Sequence, residues 1–105
     1  MSQQALTTEK YLKIYNIEID SDKFKDYNLK MSEGEIIDID YRSISGVLEI
    51  AVLTSNKFDL VNYDIKLVQD KDYVNMDDDY KYYGKFKPFL QGFNVFIFIK
   101  RGNLQ

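Results

Sequence analysis

The chain of 105 residues has 45% apolar and 30% charged side chains and no apolar run long enough to span a bilayer, so it reads as one small soluble globular domain. Its 17 acids against 14 bases leave a net charge of -3 and no basic block, and sequence-independent nucleic-acid binding therefore lacks its positive field. Cysteine and histidine are both absent, which removes disulfides, thiolate nucleophiles, zinc–thiolate sites and the commonest metal ligand and general base.

Residue choice favours strands: nine Tyr, seven Phe, eleven Ile and six Val stand against two Ala. Residues 1–10 are polar and hold no apolar stretch of the kind a secretory signal needs, so they read as a flexible N-terminal segment ahead of a single β-domain over 11–105. The expected location is cytoplasmic or virion-associated.

In chain order, Tyr15, Ile17 and Ile19 alternate with Asn16, Glu18 and Asp20, which predicts a first strand over Tyr11 to Asp20 with one wet face. Asp20, Ser21 and Asp22 form a turn. Phe24, Tyr27, Leu29 and Met31 make a less regular extended segment that ends at Ser32, Glu33 and Gly34. Next, Ile37, Ile39 and Tyr41 are predicted to face inward while Asp38 and Asp40 face water. Ser45 and Gly46 turn the chain into Val47 to Thr54, a nearly continuous apolar run expected to be central and covered on both faces, with Leu48, Ile50 and Val52 opposite Val47, Ala51 and Leu53.

After a polar connection at Thr54 to Lys57, the residues Val61, Tyr63, Ile65 and Leu67 restore the alternation against Asn62, Asp64 and Lys66, and this strand should pair antiparallel. Gln69 to Asp79 is polar and acid-rich and reads as a long loop with a short helical turn. Tyr80 to Phe86 is a further strand ended by Pro88, the only proline. Gly92 then precedes Phe93 to Lys100. There Val95, Ile97 and Ile99 share one face and Phe96 and Phe98 the other, so the strand is expected to be sandwiched and both phenylalanines buried. The expected fold class is all-β, an antiparallel two-sheet β-sandwich of jelly-roll-like character, with a small β-barrel as runner-up because alternation leaves closure open.

The order Leu29, Met31, Gly34, Glu35, Ile37, Ile39, Tyr41, Gly46, Leu48, Ile50 and Val52, followed by Gly84, Phe86, Gly92, Phe93 and Asn103, resembles the Golgi-dynamics (GOLD) β-sandwich domains over roughly Phe24 to Asn103. The cargo receptors that carry such domains have a signal sequence, paired cysteines, a coiled coil and a membrane span, none of which is read here. What the resemblance implies is a compact sandwich whose cytosolic relatives act by binding other proteins.

Candidate sites are few. Asp77, Asp78 and Asp79 beside Asn75 supply hard oxygen atoms, but the run lacks the alternating ligands, central glycine and distal glutamate of a calcium loop, and a solvated acidic loop is the better reading. Asp38 and Asp40 share a strand face as paired carboxylates would, yet no nucleophile, histidine or arginine cluster accompanies them. Arg42 and Arg101, the only arginines, are read as ordinary surface groups. Neither catalytic residues, a cofactor nor a metal is expected.

Tyr73, Tyr80, Tyr82 and Tyr83 cluster between the acidic run and Gly84, interleaved with Lys81 and Lys85. By alternation Tyr80 and Tyr82 share one face and Lys81 and Tyr83 the other, and tyrosine suits an interface that is apolar at one end and wet at the other. The partner-binding residues are therefore expected to be Tyr73, Asp77, Asp78, Asp79, Tyr80 and Tyr82. The resulting expectation is a non-enzymatic protein-interaction module, or small structural domain, binding another protein or itself through a sheet face or edge and this aromatic, acidic loop. The alternatives are a small acidic viral or mobile-element protein, either a structural subunit or an inhibitor of a host nucleic-acid enzyme, and a ligand-binding or hydrolytic domain using Asp and Tyr alone.

Overall fold

A computed structural model describes residues 9–20, 26–55, 59–88 and 92–102. The turn at Ser21 and Asp22, Phe24, Lys57, Asn103 and residues 1–8 of the N-terminal segment lie outside them; Glu9 and Lys10 are exposed.

Seven strands account for the alternating segments: β1 (Tyr11–Glu18), β2 (Asp26–Ser32), β3 (Glu35–Arg42), β4 (Val47–Thr54), β5 (Leu60–Gln69), β6 (Lys81–Phe86) and β7 (Val95–Arg101). All pairings are antiparallel and form two sheets, one ordered β1-β4-β3 and the other β2-β5-β7-β6. The fold is thus an all-β, two-sheet sandwich. Each sheet has two edge strands instead of closing on the other, which sets aside the barrel. The chain changes sheet between β1 and β2, between β2 and β3, and between β4 and β5.

The inner faces make the core. Leu48, Ile50 and Val52 of β4 oppose Ile65 and Leu67 of β5 and Val95, Ile97 and Ile99 of β7, with Met31, Tyr63 and Phe86 completing the layer; all are buried. Burial of this apolar surface, at roughly 25 cal/mol per Å², is the main favourable term for a domain of this size. Aromatic and hydroxyl contacts tie the sheets together along their margins. The Tyr41 and Phe86 rings stack with centroids 4.0 Å apart where β3 faces β6. Where β1 meets β2, the Tyr15 hydroxyl accepts from the Ser32 amide at 3.0 Å and shares a hydrogen bond with Ser32 Oγ, so the fully buried Ser32 is satisfied. Thr54 Oγ1, also buried, donates to the Glu33 carbonyl at 2.6 Å.

Two glycines are demanded by the backbone. Gly46 closes the β3–β4 turn at φ +69°, its N–H donating to the Arg42 carbonyl while its own carbonyl accepts from the Ile19 amide. Gly34 lies so close to β4 that a Cβ there would sit 2.4 Å from the Leu53 carbonyl oxygen.

The structure corrects four expectations. First, β3 bulges between Ile36 and Asp38, so one more residue lies on this strand than on β4. Ile36, Ile39 and Tyr41 consequently pack on the core, and Ile37, expected inside, is 48% exposed. Second, Phe96 and Phe98 are not core residues: they are partly buried on the outer face of β7, where Tyr82 covers them at centroid distances of 6.2 and 5.5 Å. Third, β4 is central, but Val47, Ala51 and Leu53 on its outer face are only partly buried, shielded by flanking strands with no third layer. Fourth, residues 70–80 contain turns at Asp70–Lys71 and Asp78–Asp79 and no helical turn.

Candidate interaction surface

The loop between β5 and β6 crosses the outer face of the four-stranded sheet and is tied to it by two lysines. Lys66 Nζ donates to the Asn75 carbonyl at 3.1 Å and lies 3.5 Å from Asp26; Lys100 Nζ donates to Asp77 Oδ2 at 2.5 Å. The Asp79 amide donates to Asp77 Oδ1 at 3.0 Å, closing a local turn. The hydrogen bond from Lys100 holds the Asp77 carboxyl below its ordinary pKa, and the same bond raises Lys100. Tyr80 sits between these ammonium groups, with Lys100 Nζ 4.9 Å and Lys66 Nζ 5.5 Å from its ring centroid, and burial raises its phenol pKa.

The six residues expected at the interface therefore have different surroundings. Tyr73 stands 92% exposed, and Asp78 and Asp79 are exposed as well. Asp77 anchors the loop, Tyr80 rests against lysines, and Tyr82, although half exposed, lies over Phe96 and Phe98. Tyr80 and Tyr82 share the outer side as alternation predicts. Tyr83 occupies a second bulge, between Tyr82 and Gly84, and packs against the core; burial raises its phenol pKa. Both arginines form ion pairs, Arg42 with Glu49 at 2.8 Å and Arg101 with Glu33. Asp38 and Asp40 are exposed on β3. Among the described residues no three acidic, cysteine or histidine side chains converge as a metal site would require.

A different surface emerges on the outer face of the three-stranded sheet. Cross-strand register places Leu12 beside Leu53 and Ile14 beside Ala51, with Ile37 standing off the core at the adjacent β3 bulge. Leu12 is 59% and Ile14 48% exposed, so these five residues form an apolar stripe open to solvent. Further along the same face a cleft of 390 Å³ is lined by Glu18, Arg42, Val47 and Glu49. The sequence holds the signal for this surface: Leu12 and Ile14 are in phase with Asn16 and Glu18, the residues that define the wet side of β1. The inward-facing set includes Lys13, opposite the buried Val52.

The strand edges beside this face are poor templates for a further strand. β1 turns Lys13 toward the core side and β3 is interrupted by its bulge; β6, an edge of the other sheet, is bulged too. Inward charges and bulges are the usual means by which sheets prevent edge pairing. Compared with protein-family models, curated proteins and solved structures, the chain matches none of them.

Proposed function

We propose that the protein is a non-enzymatic interaction module that binds another protein through the outer face of its β1-β4-β3 sheet. The observation that carries this reading is the solvent-open stripe of Leu12, Ile14, Ile37, Ala51 and Leu53, on a sheet whose core is already complete on the opposite face. Blunted edges favour a face over strand addition. The GOLD-like order of residues gives separate support, because cytosolic domains of that kind work by binding proteins. The aromatic, acidic loop lies against the other sheet, so one partner seated on the stripe does not reach Tyr73, Asp78 or Asp79; these remain the residues through which the loop would make a contact of its own.

The test is affinity capture from the native host with the wild-type chain and with Leu12→Ser/Ile14→Ser as baits. A partner retained by the first and lost by the second supports the reading. A partner retained equally by both, and lost instead with Tyr73→Ala, moves the interface to the loop.

A further inference from the structure

From the charges that surround the apolar stripe we infer the chemistry of its occupant: a basic amphipathic helix laid across the β1-β4-β3 face. This rests on the reading of that face as the binding surface. Among the paired residues of β1, β3 and β4, register and exposure put Glu18, Glu35, Asp38, Asp40 and Glu49 on the same side of the sheet as the stripe, against Arg42. Five carboxylates facing one guanidinium leave an excess of four negative charges on this single face, more than the -3 of the whole chain. Arg42 is itself already paired with Glu49. Glu35, Asp38 and Asp40 lie along β3 beside the apolar residues of β4, and Glu18 and Glu49 lie toward the other end of β1 and β4, so carboxylates border the stripe on two sides.

A partner that covers the stripe brings its own charges against that acidic flank, and complementary potential both speeds the encounter and rejects acidic competitors. A second copy of this chain is a poor fit, since it would meet the acidic flank with a surface of the same sign. The form of the partner follows from geometry. With Lys13 and the bulge making β1 and β3 poor templates for a further strand, the occupant lies on the face and satisfies its backbone internally, as a helix does. Two inter-strand spacings, about 10 Å, match the diameter of one helix, and packing a helix on a sheet face is a standard layer. The helix would set leucine-like residues at i, i+3 and i+7 on Leu12, Ile14, Leu53 and Ile37, and lysine or arginine along the flank facing Asp38 and Asp40.

Fluorescence anisotropy tests this with two labelled peptides of about 14 residues, built from the repeats Leu-Lys-Lys-Leu-Leu-Lys-Leu and Leu-Glu-Glu-Leu-Leu-Glu-Leu. The lysine peptide should bind with a Kd on the order of 10 µM at about 50 mM salt and weaken about tenfold at about 500 mM. The glutamate peptide should bind at least about thirtyfold more weakly. Asp38→Asn/Asp40→Asn should weaken the lysine peptide roughly three- to tenfold, and Leu12→Ser/Ile14→Ser at least about tenfold. All these residues are exposed or on the outer face, and an unchanged melting temperature confirms that each variant folds.

Equal affinity for the two peptides, or no effect of the asparagine pair, overturns the charge assignment; the binding face itself still stands if the serine pair abolishes both interactions. Lysine-peptide binding that ignores the serine pair shows that the helix does not sit on the stripe and overturns this occupant of the face. Absence of binding at about 100 µM peptide overturns the basic-helix occupant, while the affinity capture decides the face independently.

Discussion

The bulge in β3 makes neighbouring isoleucines respond in opposite ways to one substitution. Threonine keeps the β-branch and strand propensity of isoleucine but carries a hydroxyl where isoleucine has an ethyl group, so Ile36→Thr and Ile37→Thr differ chiefly in where that hydroxyl goes. Ile36 pairs with the buried Val52 and packs on the core; there the two lost carbons cost about 1.6 kcal/mol and the poorly solvated hydroxyl about 1 to 3 kcal/mol more. Ile37 is 48% exposed and its hydroxyl would be hydrated, leaving the half-burial of two carbons, roughly 0.8 kcal/mol. The expected gap is therefore about 2 to 4 kcal/mol. In urea unfolding followed by tyrosine fluorescence, with m near 1 to 3 kcal/mol/M, Ile36→Thr should lower the midpoint by roughly 1 M or more and Ile37→Thr by a small fraction of that. Equal shifts, or a larger one for Ile37→Thr, would mean that strict alternation runs through β3 and that the bulge, together with the exposed position of Ile37 in the stripe, is misplaced.

On β7, Ile97→Ala should cost about 2 to 5 kcal/mol because it opens a closed cavity. Phe98→Ala opens only a surface hollow under Tyr82 and should cost less; chemical denaturation of the pair gives the order, and the reverse order would invert the faces of this strand. Gly34→Ala should destabilise by about 1 to 3 kcal/mol, since the new methyl meets the Leu53 carbonyl and the backbone must shift, and a melting temperature equal to wild type would contradict the close approach of β3 to β4. The Asp77–Lys100 contact should hold the loop at neutral pH. With the Asp77 pKa lowered, its contribution is present above the ordinary 3.8 and fades as pH falls through the folded-state value; with Lys100 raised, its contribution is present below 10.5 and fades as pH climbs through the folded-state value. Carboxyl-carbon NMR should place the Asp77 midpoint below 3.8 and move it up in Lys100→Gln, and an unmoved midpoint would show that the lysine is not the cause.

Alternation alone located most of the architecture. The inward sets Tyr15, Ile17 and Ile19, Tyr63, Ile65 and Leu67, and Val95, Ile97 and Ile99 all meet the core, and Gly46 turns the chain where a positive φ is needed. Reading failed where the count depends on the opposing strand. Nothing local to Glu35–Arg42 distinguishes a strand with an extra residue from one without it, so Ile37 took the place of Ile36; the bulge at Tyr83 was equally invisible. Phe96 and Phe98 misled for another reason: apolar residues on both faces of a strand imply cover on both sides, and here the cover on one side is Tyr82 of the neighbouring strand. In the candidate loop, alternation set Tyr80 and Tyr82 on one side, but Lys66 and Lys100, which hold Asn75 and Asp77, belong to β5 and β7 and no pattern within the loop announces them. The apolar stripe was legible in the phase of Leu12 and Ile14 with Asn16, provided the wet side of β1 is followed back to its first residue.

The partnership of β1 with β4 has a consequence for biosynthesis. β3 and β4, like β6 and β7, are hairpin neighbours, but Tyr11–Glu18 has no sheet partner until Val47–Thr54 has been made. At about 5 to 20 residues per second, the interval from Tyr11 to Val47 lasts roughly 2 to 7 s. During it the strand is apolar on both sides, with Tyr15 and Ile17 on one and Leu12 and Ile14 on the other. Non-local pairing of this kind also folds slowly, on the millisecond-to-second scale. The nascent chain is thus exposed to misassociation until the β3–β4 hairpin has formed, and a holdase on the ribosome would find a target in Tyr11–Glu18.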